Sequence, residues 1–294
     1  MVRYCDLHTH SCFSDGTCTP VEIIEKAVAM NLSAVALTDH NTVAGLPEFL
    51  AAARGNPIEA IPGVEISTNY GETELHIVGL FLREEAFPEL ESVLRFYNQK
   101  KEESNRNLIR NLAAAGICLD YDAICRSHPE GTVNRAVIAA ALVRQGYVNS
   151  VKEAFQGLLS KKGGYYIPPE RLESLDAIRL LRKLDAVPVL AHPLLNLKTE
   201  EALRRFLAEA VPAGLVGMET MYASYTPEET TLARCLAAEY GLKESGGSDF
   251  HGEVKPHIHL GTGKGNLAVP ADFVRNLKMQ GGAYIRRAVS IPEL

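Results

Sequence analysis

The chain has 294 residues, 46% of them hydrophobic, and a formal net charge of −6 at pH 7, which suits one large α/β domain or a barrel with an insertion. No apolar run approaches the ~20 residues that span a bilayer. The net negative charge argues against a protein that coats long nucleic acid, because such a protein would need a basic surface. The start, MVRYCDLHTHSC, carries no apolar signal segment, so we expect a cytoplasmic protein whose cysteines are reduced thiols.

Strand and helix patterns alternate through Leu82. The strand patterns are VRYCDLHTH, SAVALTDH, IEAIPGVEIS and ETELHIVGLFL. One helical pattern is TPVEIIEKAVAMNL, in which Thr19 is the expected N-cap and Pro20 lies in the first turn. The other is VAGLPEFLAAARGN. Alternation of this kind predicts a parallel sheet or barrel.

From about Glu84 to Ile178 the pattern is almost entirely helical and charged, as in FPELESVLRFYNQKKEESNRNLIRNLAAAG. We predict a mainly helical insertion domain over residues 99–168, between two parts of a barrel, 1–98 and 169–294. The insertion is expected to act as a lid over the reactive end of the barrel. Three further helix–strand units follow it and bring the expected number of strands to about seven.

Nine candidate metal ligands stand where apolar strand patterns end or in the loops that follow. Because the strands of a parallel barrel end at one face, residues from both ends of the chain can converge there. The nine residues are His8, His10, Asp15, His40, Glu65, His76, His192, Asp249 and His251.

The spacing of these residues supports a shared site. His8 and His10 are two residues apart, as are Asp249 and His251, and this spacing points both side chains of a pair to one side of a strand. The pair Gly246-Gly247 would allow close backbone approach just before Asp249.

Six histidines and three carboxylates are more than one ion needs, because a catalytic zinc takes three protein ligands and a water. The set suits two or three ions, with Glu65 as a bridge. Ligands of this kind fit Mn²⁺, Zn²⁺ or Fe²⁺, and the oxygen share favours Mn²⁺. Cys12 and Cys18 are an alternative source of ligands. Asp39 is expected to orient an imidazole as a hydrogen-bond acceptor.

Paired ions activate a bridging water and stabilise the entering and leaving oxygens of a phosphoryl displacement. Phosphoester hydrolysis is therefore the leading reaction class, followed by amide or lactone hydrolysis. The sequence contains neither a G-x-S-x-G nucleophile motif nor a P-loop lysine motif.

The motifs DLHTHSCFSDG, LTDHNT, PGVEIS, ELHIVGL, LAHP and GSDFHG, in this order, resemble those of the PHP (polymerase and histidinol phosphatase) family of amidohydrolase-like hydrolases. The resemblance implies a distorted (β/α)7 barrel with a trinuclear centre, often of manganese. It implies three ion sites: one held by His8, His10, Glu65 and Asp249, a second by Glu65, His76 and His192, and a third by Asp15, His40 and His251.

The insertion segments TVNRAVIAAALV and LLSKKGGYYIPP resemble the branch of the family that acts on small nucleotides. The resemblance implies removal of the 3′-phosphate from nucleoside 3′,5′-bisphosphates, such as adenosine 3′,5′-bisphosphate, to leave AMP. Related branches often have Arg-Pro-His where this chain has Asn134-Arg135-Ala136. Side chains here could clamp a second phosphate or stack on a base, and the candidates are Asn134, Arg135, Lys161, Lys162, Tyr165 and Tyr166.

Other functions stay open at this point. A 5′–3′ exonuclease on short RNA or DNA could use the same fold, and a cyclic-phosphate or histidinol-phosphate hydrolase could use the same ions with a different lid. A metal-stabilised accessory domain without turnover is disfavoured by the intact ligand set. The expected partner is a small nucleotide, rather than a membrane or a long nucleic acid, and the sequence indicates no oligomeric state.

Overall fold

The computed structural model describes residues 3–127 and 133–281. The chain divides into two compact units, one of Met1–Ser92 with Leu172–Leu294 and one of Val93–Arg171. Within the described ranges, no helix is long and apolar enough to cross a membrane.

The first unit is built on a sheet that curls into a barrel. Within the described residues, seven strands follow one another in the order β8-β7-β6-β4-β3-β2-β1, β9 flanks β1, and β5 pairs with β3. The strands are β1 (Tyr4–Asp6), β2 (Ala34–Leu37), β3 (Glu59–Tyr70), β4 (Thr73–Leu80), β5 (Leu172–Glu173), β6 (Val187–Leu190), β7 (Gly217–Tyr222), β8 (Lys243–Gly247) and β9 (Val269–Pro270).

The two ends of this sheet meet. The backbone N–H of Leu7 donates to the carbonyl of Gly246 at 3.2 Å, and that of Asp249 donates to the carbonyl of His8 at 2.9 Å. A side chain on Gly247 would clash, since an added Cβ would lie 2.4 Å from the Cβ of His8. Glycine therefore permits the close approach of β8 to β1, and the predicted distorted seven-stranded barrel is confirmed.

Among the seven strands from β8 to β1, β4 runs against the others, and the flanking β9 is antiparallel to β1. β4 is antiparallel to both of its neighbours, β3 and β6, whereas alternation of strands and helices predicts parallel pairs. The reason is the short connection: Tyr70 pairs with Thr73, and the turn between them contains Gly71 at a φ of 57°. A two-residue turn of this kind makes a hairpin, because a parallel pair requires a long crossover.

The helices of the described residues are α1 (Pro20–Ala29), α2 (Leu46–Ala53), α3 (Phe87–Ala114), α4 (Tyr121–Arg126), α5 (Arg135–Arg144), α6 (Val151–Gln156), α7 (Ser174–Lys183), α8 (Pro193–Asn196), α9 (Glu200–Ala213), α10 (Pro227–Glu239) and α11 (Asp272–Lys278). α1 begins as predicted, with Thr19 as its N-cap and Pro20 in its first turn. Thr19 and Glu22 form a reciprocal capping box, which satisfies two backbone N–H groups that the helix itself leaves free.

The barrel core is rich in small and β-branched side chains, with leucines and one phenylalanine packed among them. Ala36, Ile61 and Val189 are at most 1% exposed and pack with Leu277 of α11 in one apolar cluster. Burial of this surface is the main favourable contribution to folding, and it fixes the strand ends that carry the polar residues.

The second unit has a separate apolar core. Leu108 and Leu112 of α3 pack with Ile138 and Leu142 of α5. The described residues of this unit form helices and one 3-10 turn, Lys161–Gly163, without a strand. The insertion was placed at 99–168 from the sequence, and its role as a lid stays a prediction.

Candidate metal centre

All nine predicted ligands converge in the first unit. Within each of four overlapping groups, the potential ligand atoms lie within 4.8 Å of one another. The groups are His10, Asp15, His40 and His251; His8, His10 and Asp249; His8, Glu65 and His192; and His40, Glu65 and His76.

Glu65 lies at the centre of this arrangement and is fully buried. Its Oε1 is 2.8 Å from Nδ1 of His76 and 3.0 Å from Nε2 of His192. Its Oε2 is 3.0 Å from Nδ1 of His40, 3.1 Å from Nε2 of His8 and 3.3 Å from Nε2 of His10. Each oxygen thus faces its own set of imidazoles, as a carboxylate that bridges two ions would.

Glu65 and His76 reach the site from the middle of their strands. Glu65 pairs with Val78, and His76 pairs with Ser67. The prediction that both residues end a strand is wrong, because β3 continues beyond its pairing with β2 into the hairpin with β4. The register of that hairpin brings the two side chains together.

The opposite side of the site is formed by loops that follow β1 and β8. Oδ1 of Asp15 lies 3.3 Å from Nε2 of His251, and Oδ2 lies 3.9 Å from Nε2 of His40. Nε2 of His10 is 3.2 Å from Oδ1 of Asp249. Asp249 has a φ of 57°, a conformation uncommon for a residue with a side chain and typical of functional sites.

The site holds buried polar atoms without hydrogen-bond partners. They are Nε2 of His8, both ring nitrogens of His10, Nδ1 of His40 and Oε2 of Glu65. Leaving such atoms unpaired costs about 1–3 kcal/mol each. Because imidazole nitrogens and a carboxylate oxygen face one another here, a divalent cation would satisfy them together, and the residues fit the metal ions that the sequence predicts.

Two of the candidate ligands, Glu65 and Asp15, have lowered pKa values. Burial raises the pKa of Glu65, but the charges of His40 and His8 hold that pKa well below its ordinary range. For Asp15, burial again opposes the shift, and His40 and His251 hold its pKa well below the ordinary value. Both carboxylates are therefore ready to accept a cation.

The imidazoles differ from one another in pKa. Burial lowers the pKa of His10, but the neighbouring carboxylates of Asp249 and Glu65 raise it to about 9. For His40 burial prevails and lowers the pKa to about 3. A ligand imidazole must be neutral, so cation binding at His10 displaces a proton.

Three buried carboxylates in this region were missed or misjudged from the sequence. Glu219 of β7 was missed; it is 1% exposed, 2.8 Å from Nδ1 of His8, and accepts the backbone N–H of His192 at 2.6 Å. Asp6 was also missed and accepts hydrogen bonds from Ser248 and the backbone N–H of Gly261. The available signal was an acid inside an apolar strand, as in GMETMY.

Asp39 is the third of these carboxylates. It accepts hydrogen bonds from Ser11 and Ser14, two of them at 2.6 Å, so the prediction that it orients an imidazole is wrong. The hydroxyls lie in the loop that carries Asp15. Asp39 therefore fixes the first loop after β1, whereas Asp6 fixes the loop after β8.

The candidate substrate-binding residues lie in the second unit. The guanidinium of Arg135 lies 4.4 Å from the ring centre of Tyr166 and 5.5 Å from that of Phe155. Tyr166 is 6% exposed, so its ring supports the guanidinium, and its stacking on a base stays a prediction.

The other candidates in this unit have local structural roles. Asn134 is the N-cap of α5 and accepts from the backbone N–H groups of Ala136 and Val137. Lys161 and Lys162 are exposed on the 3-10 turn. The carbonyl of Tyr165 accepts from the side chain of Asn111. Contacts of these four residues with substrate stay predictions.

Comparison with known proteins identifies the family. The PHP domain matches residues 6–167, more than half of the chain. The chain belongs to the PHP family. It is 33% identical over 251 residues to a 5′-3′ exoribonuclease of Haemophilus influenzae, a match that covers 85% of this chain and 91% of the relative.

Two further similarities agree with this assignment. The chain is 33% identical over 248 residues to a 3′,5′-nucleoside bisphosphate phosphatase of Chromobacterium violaceum, covering 84% of this chain and 86% of the relative. A solved structure from Bifidobacterium adolescentis, described as a metal-dependent phosphoesterase, superimposes with a TM-score of 0.81 at 27% identity, covering 97% of this chain and 99% of that one. The protein is thus a metal-dependent phosphoesterase of the PHP family.

Proposed function

We propose that this phosphoesterase removes the 3′-phosphate of nucleoside 3′,5′-bisphosphates, such as adenosine 3′,5′-bisphosphate, and leaves the nucleoside 5′-phosphate. The observation that carries the proposal is Arg135, whose guanidinium is held over the ring of Tyr166. A planar guanidinium fixed in this way binds two phosphate oxygens at once. A bisphosphate offers such a second phosphate, and a simple phosphomonoester does not.

The nine converging ligands are proposed to hold two or three divalent ions, of which Mn²⁺ suits the three carboxylates of the set and Zn²⁺ or Fe²⁺ are alternatives. Bound ions would act as Lewis acids that polarise the phosphoryl oxygens and strengthen water as a nucleophile. Glu65, which belongs to two of the four ligand groups, would be a ligand shared between ions. Asp15 and Asp249 would hold the ions from the loop side.

Arg135 would contribute to catalysis by positioning the substrate. Binding energy from the non-reacting 5′-phosphate can hold the reacting 3′-phosphate in the geometry required for attack. Ring contact with Tyr166 and Phe155 removes much of the side chain's rotational freedom before substrate arrives, so less conformational entropy is lost on binding.

A 5′-3′ exoribonuclease is the second candidate, because a relative of that name is as similar to this chain as the bisphosphate phosphatase. An exonuclease that releases nucleoside 5′-phosphates breaks the bond between phosphorus and the 3′-oxygen of the first nucleotide. The same bond breaks in a 3′,5′-bisphosphate. The two activities differ in what is attached to the phosphate that leaves. It is released as free phosphate from the bisphosphate, whereas in RNA it stays esterified to the rest of the chain.

Product analysis of a substrate panel tests the proposal. The panel contains adenosine 3′,5′-bisphosphate, 3′-AMP, 5′-AMP and a short 5′-phosphorylated oligoribonucleotide, each with Mn²⁺. We expect 5′-AMP and phosphate from the bisphosphate, with a kcat/KM at least tenfold above that of either monophosphate. Glu65→Gln serves as the control for contaminating phosphatases. Degradation of the oligonucleotide without hydrolysis of the bisphosphate would assign the protein to the exoribonucleases.

A further inference from the structure

Glu219 contacts two of the candidate ligands, His8 and His192. Its two oxygens have different partners: Oε1 lies 2.8 Å from Nδ1 of His8, and Oε2 accepts the backbone N–H of His192 at 2.6 Å. The carboxylate is 1% exposed, and a charge at that depth persists only with partners of this kind. Glu219 itself belongs to none of the four ligand groups.

The contact with His8 decides which ring nitrogen can bind a cation. An imidazole that binds a cation is neutral and keeps one proton; because the carboxylate oxygen of Glu219 accepts a hydrogen bond from Nδ1, that proton stays on Nδ1 of His8. The lone pair then resides on Nε2, which lies 3.1 Å from Oε2 of Glu65 and has no hydrogen-bond partner. Glu219 therefore directs the lone pair of His8 towards Glu65.

The contact with His192 concerns its backbone. His192 has a φ of 28°, a strained conformation that persists only where surrounding contacts impose it. The hydrogen bond to Glu219 is such a contact, and the Nε2 of His192 then lies 3.0 Å from Oε1 of Glu65. Glu219 thus fixes the position of the imidazole proton of His8 and the backbone conformation of His192.

We propose that Glu219 is a positioning residue that prepares His8 and His192, which face different oxygens of Glu65, as ligands for divalent ions. It acts through the proton on Nδ1 of His8 and through the backbone of His192, without binding an ion itself. The inference concerns ion binding alone, so it holds for a bisphosphate and for an RNA substrate alike.

The variant Glu219→Gln tests this inference at nearly constant volume. If the glutamine oxygen accepts from His192, its NH2 group faces Nδ1 of His8, and the imidazole proton must move to Nε2. The matched control is Glu244→Gln, the same change on neighbouring β8, where the side chain accepts from Thr220 and Arg234. Mn²⁺ affinity and stoichiometry are measured by titration of ion-free protein, with no substrate present.

We expect Glu219→Gln to bind one of its ions roughly 10- to 100-fold more weakly, the range for residues that support a ligand. Glu244→Gln should stay within threefold of the parent. Equal affinities of Glu219→Gln and the parent, or an equal loss in both variants, would overturn the proposal. Failure of the bisphosphate assay would leave these affinities unaffected, so the two proposals fail independently.

A second test reads the position of the His8 proton directly in the parent protein. In ¹⁵N-histidine-labelled, Zn²⁺-loaded protein, the resonances of His8 are assigned by their loss in His8→Gln. We expect Nδ1 of His8 to carry the proton and Nε2 to show the shift of a metal ligand. A proton on Nε2, with Nδ1 as the ligand, would refute the role of Glu219.

Discussion

The hydroxyl of Tyr222 donates a 2.6 Å hydrogen bond to Oδ2 of Asp249. Nζ of Lys255 binds the same oxygen at 2.7 Å. Oδ1 of Asp249 instead faces Nε2 of His10 at 3.2 Å. One oxygen of this carboxylate is therefore anchored to the protein, while the other points to the ligand cluster.

Replacing Tyr222 by Phe should weaken Mn²⁺ binding, because Asp249 loses one of the two anchors of Oδ2. A hydrogen bond to a charged group contributes about 1.5–3 kcal/mol, so we expect a loss of roughly tenfold or more in affinity, measured by titration. The control is Tyr225→Phe, whose hydroxyl contacts the backbone N–H of Leu194. The prediction fails if both variants bind Mn²⁺ equally well.

Mn²⁺ should stabilise the ion-free protein against heat. Binding to the folded state alone increases the free energy of unfolding by about 2.7 kcal/mol at 100 times the Kd, and for a chain of this size we expect Tm to rise by about 4 °C. Glu65→Gln should show a smaller rise, because it loses the charge shared by two ligand groups. An unchanged Tm on adding Mn²⁺ to protein treated with EDTA would contradict the presence of the site.

The capping box of α1 should give a stability contribution that depends on pH. The hydrogen bonds from Thr19 lower the pKa of Glu22 from its ordinary value. A group with a depressed pKa in the folded state stabilises fully above its unfolded pKa of about 4.3, and this contribution is lost as pH falls through the folded value. Glu22→Gln should therefore be less stable than the parent at pH 7, and the difference should shrink as the pH falls below about 4.

Urea unfolding of ion-free protein at several pH values measures this effect without interference from metal binding. Glu25→Gln is the control, because Glu25 is exposed on the same helix and lies outside the capping box. A difference between Glu22→Gln and the parent that stays constant with pH would mean that the carboxylate charge does not support the cap.

Arg135→Ala should reduce activity on a nucleoside 3′,5′-bisphosphate more than on a monophosphate. Loss of a charge-assisted hydrogen bond costs about 1.5–3 kcal/mol, so we expect a ten- to hundredfold lower kcat/KM on the bisphosphate. Arg144→Ala, an exposed position at the other end of α5, is the control. Equal losses on both substrates would exclude recognition of a second phosphate by Arg135.

Sequence periodicity predicts much of the barrel because its strands are short, apolar and separated by amphipathic helices. The patterns of α1 and β2 lead directly to the observed elements. The direction of β4 could not be read in this way, since it depends on whether the chain reverses in a tight turn at Gly71. A strand pattern carries no information about its direction within a sheet.

The candidate ligands were predictable because an acid or histidine beside an apolar strand stands out. Glu219 breaks the apolar pattern of β7 in the same manner, but its role depends on contacts with His8 and with the backbone of His192. Those contacts arise from packing between strands that are distant in the sequence. The partners of Asp39 were misjudged for the same reason, because Ser11 and Ser14 come from another loop.

The hydrogen bond between Leu7 and Gly246 has a consequence for how the protein is made. Contacts between residues so far apart along the chain form late and slowly in folding. A ribosome adds about 5–20 residues per second, so His8 and His10 emerge many seconds before Asp249 and His251. A nascent chain that ends before β8 has most of the imidazoles but neither the closing strand nor the last carboxylate. The full set of candidate ligands therefore comes together only after β8 and the loop that follows it have been made and paired with the first strand.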